Sequence, residues 1–199
     1  MKVSREQAAE NRQRIVEIAS KLFREHGLDG IGVADLMKSA GLTHGGFYGH
    51  FDSKEDLMAE ACAYAVGASV SKLRERIDAA PENPLAVVTA SYLSSAHCKQ
   101  PGAGCALAAL GSEASRHGRG VRHALTDGLR ELIDLLTTIV PGRSKAARRE
   151  KALATFASMV GAVVLARSVD DPALAEKILQ SVSTSILGPQ SLKNRPAGA

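Results

Sequence analysis

Tryptophan is absent from this chain of 199 residues, and aromatic residues of all kinds make up only 4% of it. With Ala and Leu recurring throughout, that scarcity leans the composition toward an all-α fold. Cysteine is nearly as scarce. Cys62, Cys98 and Cys105 form an odd set with no CxxC spacing and no histidine pairing of the zinc-finger kind. A disulfide framework and a structural zinc site are therefore excluded as organising devices, and a reducing compartment fits. No G-x-S-x-G elbow, P-loop, metal-ligand spacing or dinucleotide fingerprint is present, which removes the common enzyme classes and predicts no cofactor. The N-terminus is charged, without an apolar stretch ahead of a cleavage site. No run of membrane-spanning length free of charge stands out, so the expectation is a soluble, cytoplasmic protein with no membrane partner.

Charge is also undramatic. Net charge is +4, which tolerates an anionic partner without demanding one. In residues 1–54, Lys2, Arg5, Arg12, Arg14, Lys21, Arg24, Lys38 and Lys54 are nearly balanced by seven acids. Any case for nucleic acid must rest on where the cations stand.

What is present is apolar periodicity. Hydrophobic residues make up 45% of the chain, ample for a buried core. Ile15, Ile18, Ala19, Leu22 and Phe23 repeat at helical spacing and predict a helix over residues 6–26, stopped by Gly27. Val33, Leu36, Met37 and Ala40 predict a short second helix running into Gly41, where a left-handed turn costs least. Leu42 plugs the corner, and Thr43 is placed to N-cap a helix over 44–50. That is a helix-turn-helix, whose second helix is of the kind that enters the DNA major groove. Ser53 and Asp56 form a capping-box-like pair opening a long helix to about residue 79. Further helices are expected over 85–97, 105–115, 121–140, 145–168 and 172–187, about nine in all. Residues 189–199 read as a flexible tail.

The run Ala40-Gly-Leu-Thr-His-Gly-Gly-Phe-Tyr-Gly-His-Phe51, the Ser53-Lys-Glu-Asp-Leu57 that follows it and the basic amphipathic first helix together resemble the TetR family of transcriptional regulators. The resemblance is close over about residues 10–60 and only architectural beyond. It implies an all-α protein with a three-helix DNA-binding domain at 1–52 and an effector-binding and dimerisation domain at 53–199, in which 53–79 is a connector.

On that footing Thr43, Tyr48, His50 and Lys54 fall on positions used for the DNA backbone, and each carries a donor for phosphate oxygens. His44, Gly45, Gly46 and Ala34 form the groove-facing set. Only His44 among them has hydrogen-bonding capacity, so DNA shape is expected to share in specificity. Arg5, Arg12 and Arg14 either reach phosphate or the minor groove or form a solvated face.

Ligand contacts in the larger domain are sought at Tyr92, His97, Cys98, Cys105, Ser112, Phe156 and Met159, with Glu113 and Arg116 beside them. Cys105, at the expected start of a helix, is the candidate sensor of oxidants or electrophiles, with a small core residue as the alternative. Phe156, Ala157, Val160, Gly161, Val164 and Leu165, facing Leu174, Ile178, Leu179, Val182 and Ile186, supply a homodimer interface through the last two helices. The expected partners are a near-palindromic double-stranded operator and a small effector. The expected function is a regulator, most simply a repressor; an architectural DNA-binding protein without effector, or a thiol-dependent enzyme, are the alternatives.

Overall fold

The computed structural model describes residues 4–188, and the tail expected at 189–199 lies outside them. Among the described residues there are nine α-helices and two 3-10 turns, and no strand. They divide into two compact units. One holds the residues up to Ser69 together with Pro101–Leu129, the other Val70–Gln100 together with the residues from Arg130 onward. The units do not follow the expected division at residue 52, because the long helices α3 (Lys54–Asp78) and α7 (Arg119–Ile139) contribute to both.

In the first unit, α1 (Arg5–His26) starts at Ser4, whose hydroxyl accepts the Gln7 N–H, and ends at Gly27 with φ of 85°. Its buried face is Ile15, Val16, Ala19, Ser20 and Phe23. The expected stripe is thus rotated slightly, with Ile18 and Leu22 only half-buried. The second helix, α2 (Val33–Ser39), buries Leu36 and Met37. It closes with the Leu42 N–H on the Met37 carbonyl (2.8 Å) and the Gly41 N–H on the Lys38 carbonyl (3.0 Å). That is the paired bonding of a Schellman motif, and it requires the positive φ that Gly41 adopts, 71°.

Ser53 caps α3 as expected: its hydroxyl accepts the Asp56 N–H (3.1 Å) and donates to the Asp56 carboxylate (2.7 Å). Leu57, Met58, Ala61, Cys62, Ala65 and Val66 bury one side of this helix. The helix α6 (Ala106–Ala114) packs on α1, and a Cβ placed on Gly128 of α7 would strike Val66 of α3.

In the second unit, the helix expected over 85–97 is two helices, α4 (Pro84–Tyr92) and α5 (Ser95–Lys99). The break comes from Ser94, whose hydroxyl donates to the Ser91 carbonyl (2.9 Å) and accepts the His97 N–H (3.1 Å), ending one helix and capping the next. Arg167 of α8 (Lys145–Ser168) then donates to the His97 and Cys98 carbonyls, both at 2.9 Å, satisfying the C-terminal groups that α5 leaves open. The last helix, α9 (Pro172–Leu187), is capped by the Asp171 carboxylate and packs along α8. By length and composition alone α8 is apolar enough to cross a membrane, although Lys151 and Arg167 leave no charge-free run of spanning length in it. Its apolar content has a protein-internal use, since Ala152, Phe156, Met159, Ala162, Val163 and Ala166 are buried.

Candidate nucleic-acid interface

The turn at Gly41 delivers residues 44–49 as a 3-10 helix, His44–Gly49, in place of the expected α-helix. Thr43 has the extended backbone of an N-cap (φ −85°, ψ 149°), yet its side chain makes no capping hydrogen bond. Three glycines in six residues and no side-chain cap leave this segment little intrinsic helicity, and the tighter 3-10 winding is typical of such short pieces. Packing holds it. Phe47 and Phe51, 1% and 3% exposed, stack with ring centroids 5.6 Å apart.

Around that anchor, Thr43, His44, Gly45 and Tyr48 are exposed, and Gly46 and His50 half-exposed. Tyr48 is 68% exposed, edge-on to both Phe47 and His44. So large an apolar ring left in water carries its phenol outward, where it can donate to an oxygen ligand. Ala34, on the first turn of α2, is also exposed. Lys54 is half-buried, its ammonium 6.0 Å from the centre of the Phe23 ring. It stands at the N-terminus of α3, where a cation is mildly disfavoured unless an anion offsets it.

The first-helix arginines separate. Arg5 and Arg14 are exposed. Arg12, its side chain 42% exposed, reaches across to Glu60 of α3, the His50 carbonyl and the Phe51 ring. These partners lie 38 to 48 positions away in sequence, and nothing local announces them.

Three further ties, also invisible in the sequence, join this unit. The Glu113 carboxylate accepts the Leu28 N–H (2.8 Å), and Arg24 donates to the Gly104 carbonyl (3.2 Å). His117, its side chain 8% exposed, lies between Asp29 (3.6 Å) and Glu55 (3.4 Å), and Glu55 also accepts the Gly118 N–H (2.6 Å). Glu113, sought as a ligand contact, is therefore committed to the backbone after α1.

The other ligand candidates fall in two places. Tyr92, His97 and Phe156 cluster in the second unit, with ring centroids 4.6 Å (Tyr92–His97) and 6.0 Å (Tyr92–Phe156) apart. Cys98 follows on α5 and is half-buried; Met159 is buried on α8. Cys105 and Ser112 belong to the first unit: Cys105 is the buried N-cap of α6 and Ser112 is exposed.

The Tyr92 carbonyl can only accept, so the 2.6 Å bond from His97 places the proton on Nδ1. Burial, assisted by Arg167, Arg76 and Lys72, holds His97 below its ordinary value, against the pull of that hydrogen bond. The unfolded chain therefore takes up this proton first as pH falls, and His97 removes stability on the acid side of the histidine range. Urea unfolding measured from pH 7.5 to 5 is expected to show stability falling, with His97→Gln flattening the slope by up to one proton. A parallel slope in the variant would contradict this.

Residues 15–61 match the family of bacterial regulatory proteins of the tetR type. An HTH-type transcriptional regulator of Staphylococcus aureus (strain USA300) is 45% identical over 62 residues, which are 31% of this chain and 31% of that protein. The HTH-type regulator AcrR of Shigella flexneri is 37% identical over 57 residues, 29% of this chain and 26% of that protein. The chain thus matches less than a third of the length of these curated relatives.

Solved structures extend the likeness of fold. A TetR-family regulator from Cytophaga hutchinsonii superposes with a TM-score of 0.77 at 24% identity, over 94% of this chain and 98% of that one. Reduced NemR of Escherichia coli gives 0.74 at 22%, over 89% and 95%. A TetR regulator from Chloroflexus aurantiacus gives 0.70 at 25%, over 91% and 96%.

Proposed function

Since the chain belongs to the TetR family of transcriptional regulators, we propose that it is a dimeric, cytoplasmic repressor that releases a near-palindromic operator when a signal acts on the part from residue 53 onward. One observation carries the DNA-reading half. A rigidly anchored segment exposes Thr43, His44, Gly45 and Tyr48 side by side, immediately after a Schellman turn and immediately before Lys54. Thr43, Tyr48, His50 and Lys54 are assigned to phosphate, and His44, Gly45, Gly46 and Ala34 to the groove. With one hydrogen-bonding side chain among the latter, much of the selectivity would come from groove shape.

The dimer is assigned to α8 and α9. Leu153, Val164 and Leu165 on α8 are 46%, 41% and 57% exposed, and Leu174 on α9 is 44% exposed. With Ala157 and Gly161, Leu153, Val164 and Leu165 make a stripe at helical spacing along α8. Phe156 and Leu179, expected in that interface, are buried within the protomer and are not available to it. Two copies joined through this stripe would form a four-helix interface with two-fold symmetry and present two reading segments about one DNA turn apart, roughly 34–36 Å.

The effector is a small molecule seated near Tyr92, His97, Cys98, Phe156 and Met159, or a thiol-reactive agent. The second reading is favoured by Cys105, which occupies the N-cap position of α6, without a side-chain capping bond, near Arg24. The thiols are expected to react in order. Burial pushes Cys62 up to about 12, leaving on the order of a thousandfold less thiolate than an ordinary cysteine at pH 7.5. In timed labelling of the folded protein with N-ethylmaleimide, half-buried Cys98 should be modified first and Cys62 only on unfolding. Early labelling of Cys62 would contradict its burial. Cys105→Ser should abolish oxidant-induced release from DNA; an unchanged response returns Cys105 to the core.

Selection of duplexes from a random library, followed by footprinting with and without candidate effectors, tests the whole. A two-fold symmetric, salt-sensitive footprint is expected. Binding without sequence selectivity would favour the architectural alternative, and no binding would end the DNA-reading proposal. The matched relatives are regulators, and the thiol-enzyme alternative finds no support among them.

A further inference from the structure

Arg12 engages three groups of the first unit at once, although its side chain is 42% exposed and that of Glu60 39%. Its guanidinium pairs in a two-pronged fork with Glu60, Nη1 to Oε2 at 2.6 Å and Nη2 to Oε1. Its remaining edge donates from Nε to the His50 carbonyl at 3.3 Å, and its flat face lies 4.6 Å from the centre of the Phe51 ring. The Glu60 hydrogen bond raises its affinity for the proton further, so this cation is permanent.

Fork, free edge and stacking face are features of arginine that lysine lacks. They converge on one place. His50 ends the 3-10 helix, its own N–H bonded to the Phe47 carbonyl (2.9 Å), and Phe51 begins the passage to α3.

We propose that Arg12 is a positioning residue for DNA binding. It fixes the backbone at His50, and through it Tyr48 and His50, while making no contact with phosphate itself. This rests on the DNA-reading proposal above. The neighbouring exposed arginines, Arg5 and Arg14, have no such partners among the contacts described and are left to the electrostatic field of the head.

The assignment separates Arg12 from an ordinary phosphate-binding arginine by a measurable sign. A cation that displaces a counterion contributes about 0.9 to the slope of log affinity against log salt, whereas one neutralised by Glu60 contributes none. Arg12→Gln, Glu60→Gln and the double variant are to be compared with Lys54→Gln, on a duplex selected by the wild-type protein, across 50–300 mM KCl. Arg12→Gln should lose ten- to hundredfold in affinity at fixed salt with the wild-type slope retained, and Glu60→Gln should lose a similar factor at fixed salt. The double variant should be no worse than either single one. Lys54→Gln should flatten the slope by about 0.9.

Amide hydrogen exchange, needing no DNA, should quicken at His50 and Phe51 in Arg12→Gln and stay unchanged along Ile15–Phe23. A flattened slope in Arg12→Gln would make Arg12 a phosphate contact, and unchanged affinity or unchanged exchange at His50 would leave it without the positioning role. Either result overturns the assignment. Wild-type protein that binds no duplex, with exchange at His50 still dependent on Arg12, would defeat the DNA-reading proposal and leave the clamp as structure alone.

Discussion

Leu165→Glu is expected to convert the protein to a monomer and to lower its affinity for a two-half-site operator by two to four orders of magnitude. Leu165 is 57% exposed on the protomer and lies beside Val164 on the stripe assigned to the dimer. A carboxylate there would have to be buried without a partner when two copies meet, a penalty of several kcal/mol that the apolar stripe cannot offset. The monomer itself should fold normally, since the site is open to water. The loss on DNA is large because the second half-site is bound at the effective concentration set by the first, a gain of roughly 10²–10⁴ that vanishes with the partner. Sedimentation velocity and fluorescence anisotropy on one- and two-half-site duplexes would show both effects. A variant that stays dimeric would move the interface elsewhere, and one that is monomeric yet binds at full affinity would remove the two-fold operator from the account.

Gly45→Ala separates stability from function in the opposite direction. Nothing lies within 4 Å of a methyl group built at Gly45, and its backbone is not in the left-handed region. Alanine should therefore improve the helix by up to about 1 kcal/mol, raising Tm by a few degrees at most. If the glycine is there so that the backbone can approach the groove floor, the same methyl group should weaken binding at least tenfold, and Gly45→Leu more than a hundredfold. Gly46 offers a companion: a methyl there meets Thr43 Oγ1 at 3.6 Å and Met37 Cε at 3.7 Å, ordinary contacts that the fold can accept. Differential scanning calorimetry with anisotropy titration checks both halves. Undiminished affinity in Gly45→Ala would mean that the segment stands off from the bases.

Features written into neighbouring residues were legible beforehand. Gly27 and Gly41 close α1 and α2, and the Ser53–Asp56 box opens α3, because caps and left-handed turns depend on residues within about five positions. The break at Leu93–Ser94 was missed since serine, unlike proline or glycine, does not forbid a helix and acts here only through its bonds to Ser91 and His97. The 3-10 winding of His44–Gly49 was half visible. The glycines announced a weak helix, while its pitch is decided by how Phe47 and Phe51 are seated. Arg12–Glu60, Leu28–Glu113 and Glu55–His117 were beyond reach, since each joins a common charged side chain to a side chain or backbone N–H 48 to 85 positions away. In the site, Tyr48 and His44 are exposed and were singled out from sequence alone, whereas Arg12 could be placed only by seeing what surrounds it.

The ties of Glu113 to Leu28, of His117 to Asp29 and Glu55, and of Arg24 to Gly104 have a practical consequence for anyone who would exchange recognition heads between regulators. A hybrid joined at residue 52 or at residue 61 would carry Leu28, Asp29 and Arg24 into a foreign body that lacks their acceptors and donors. The exchangeable part is not a contiguous segment but one with three splice points, taking residues 101–129 along with the residues up to Ser69.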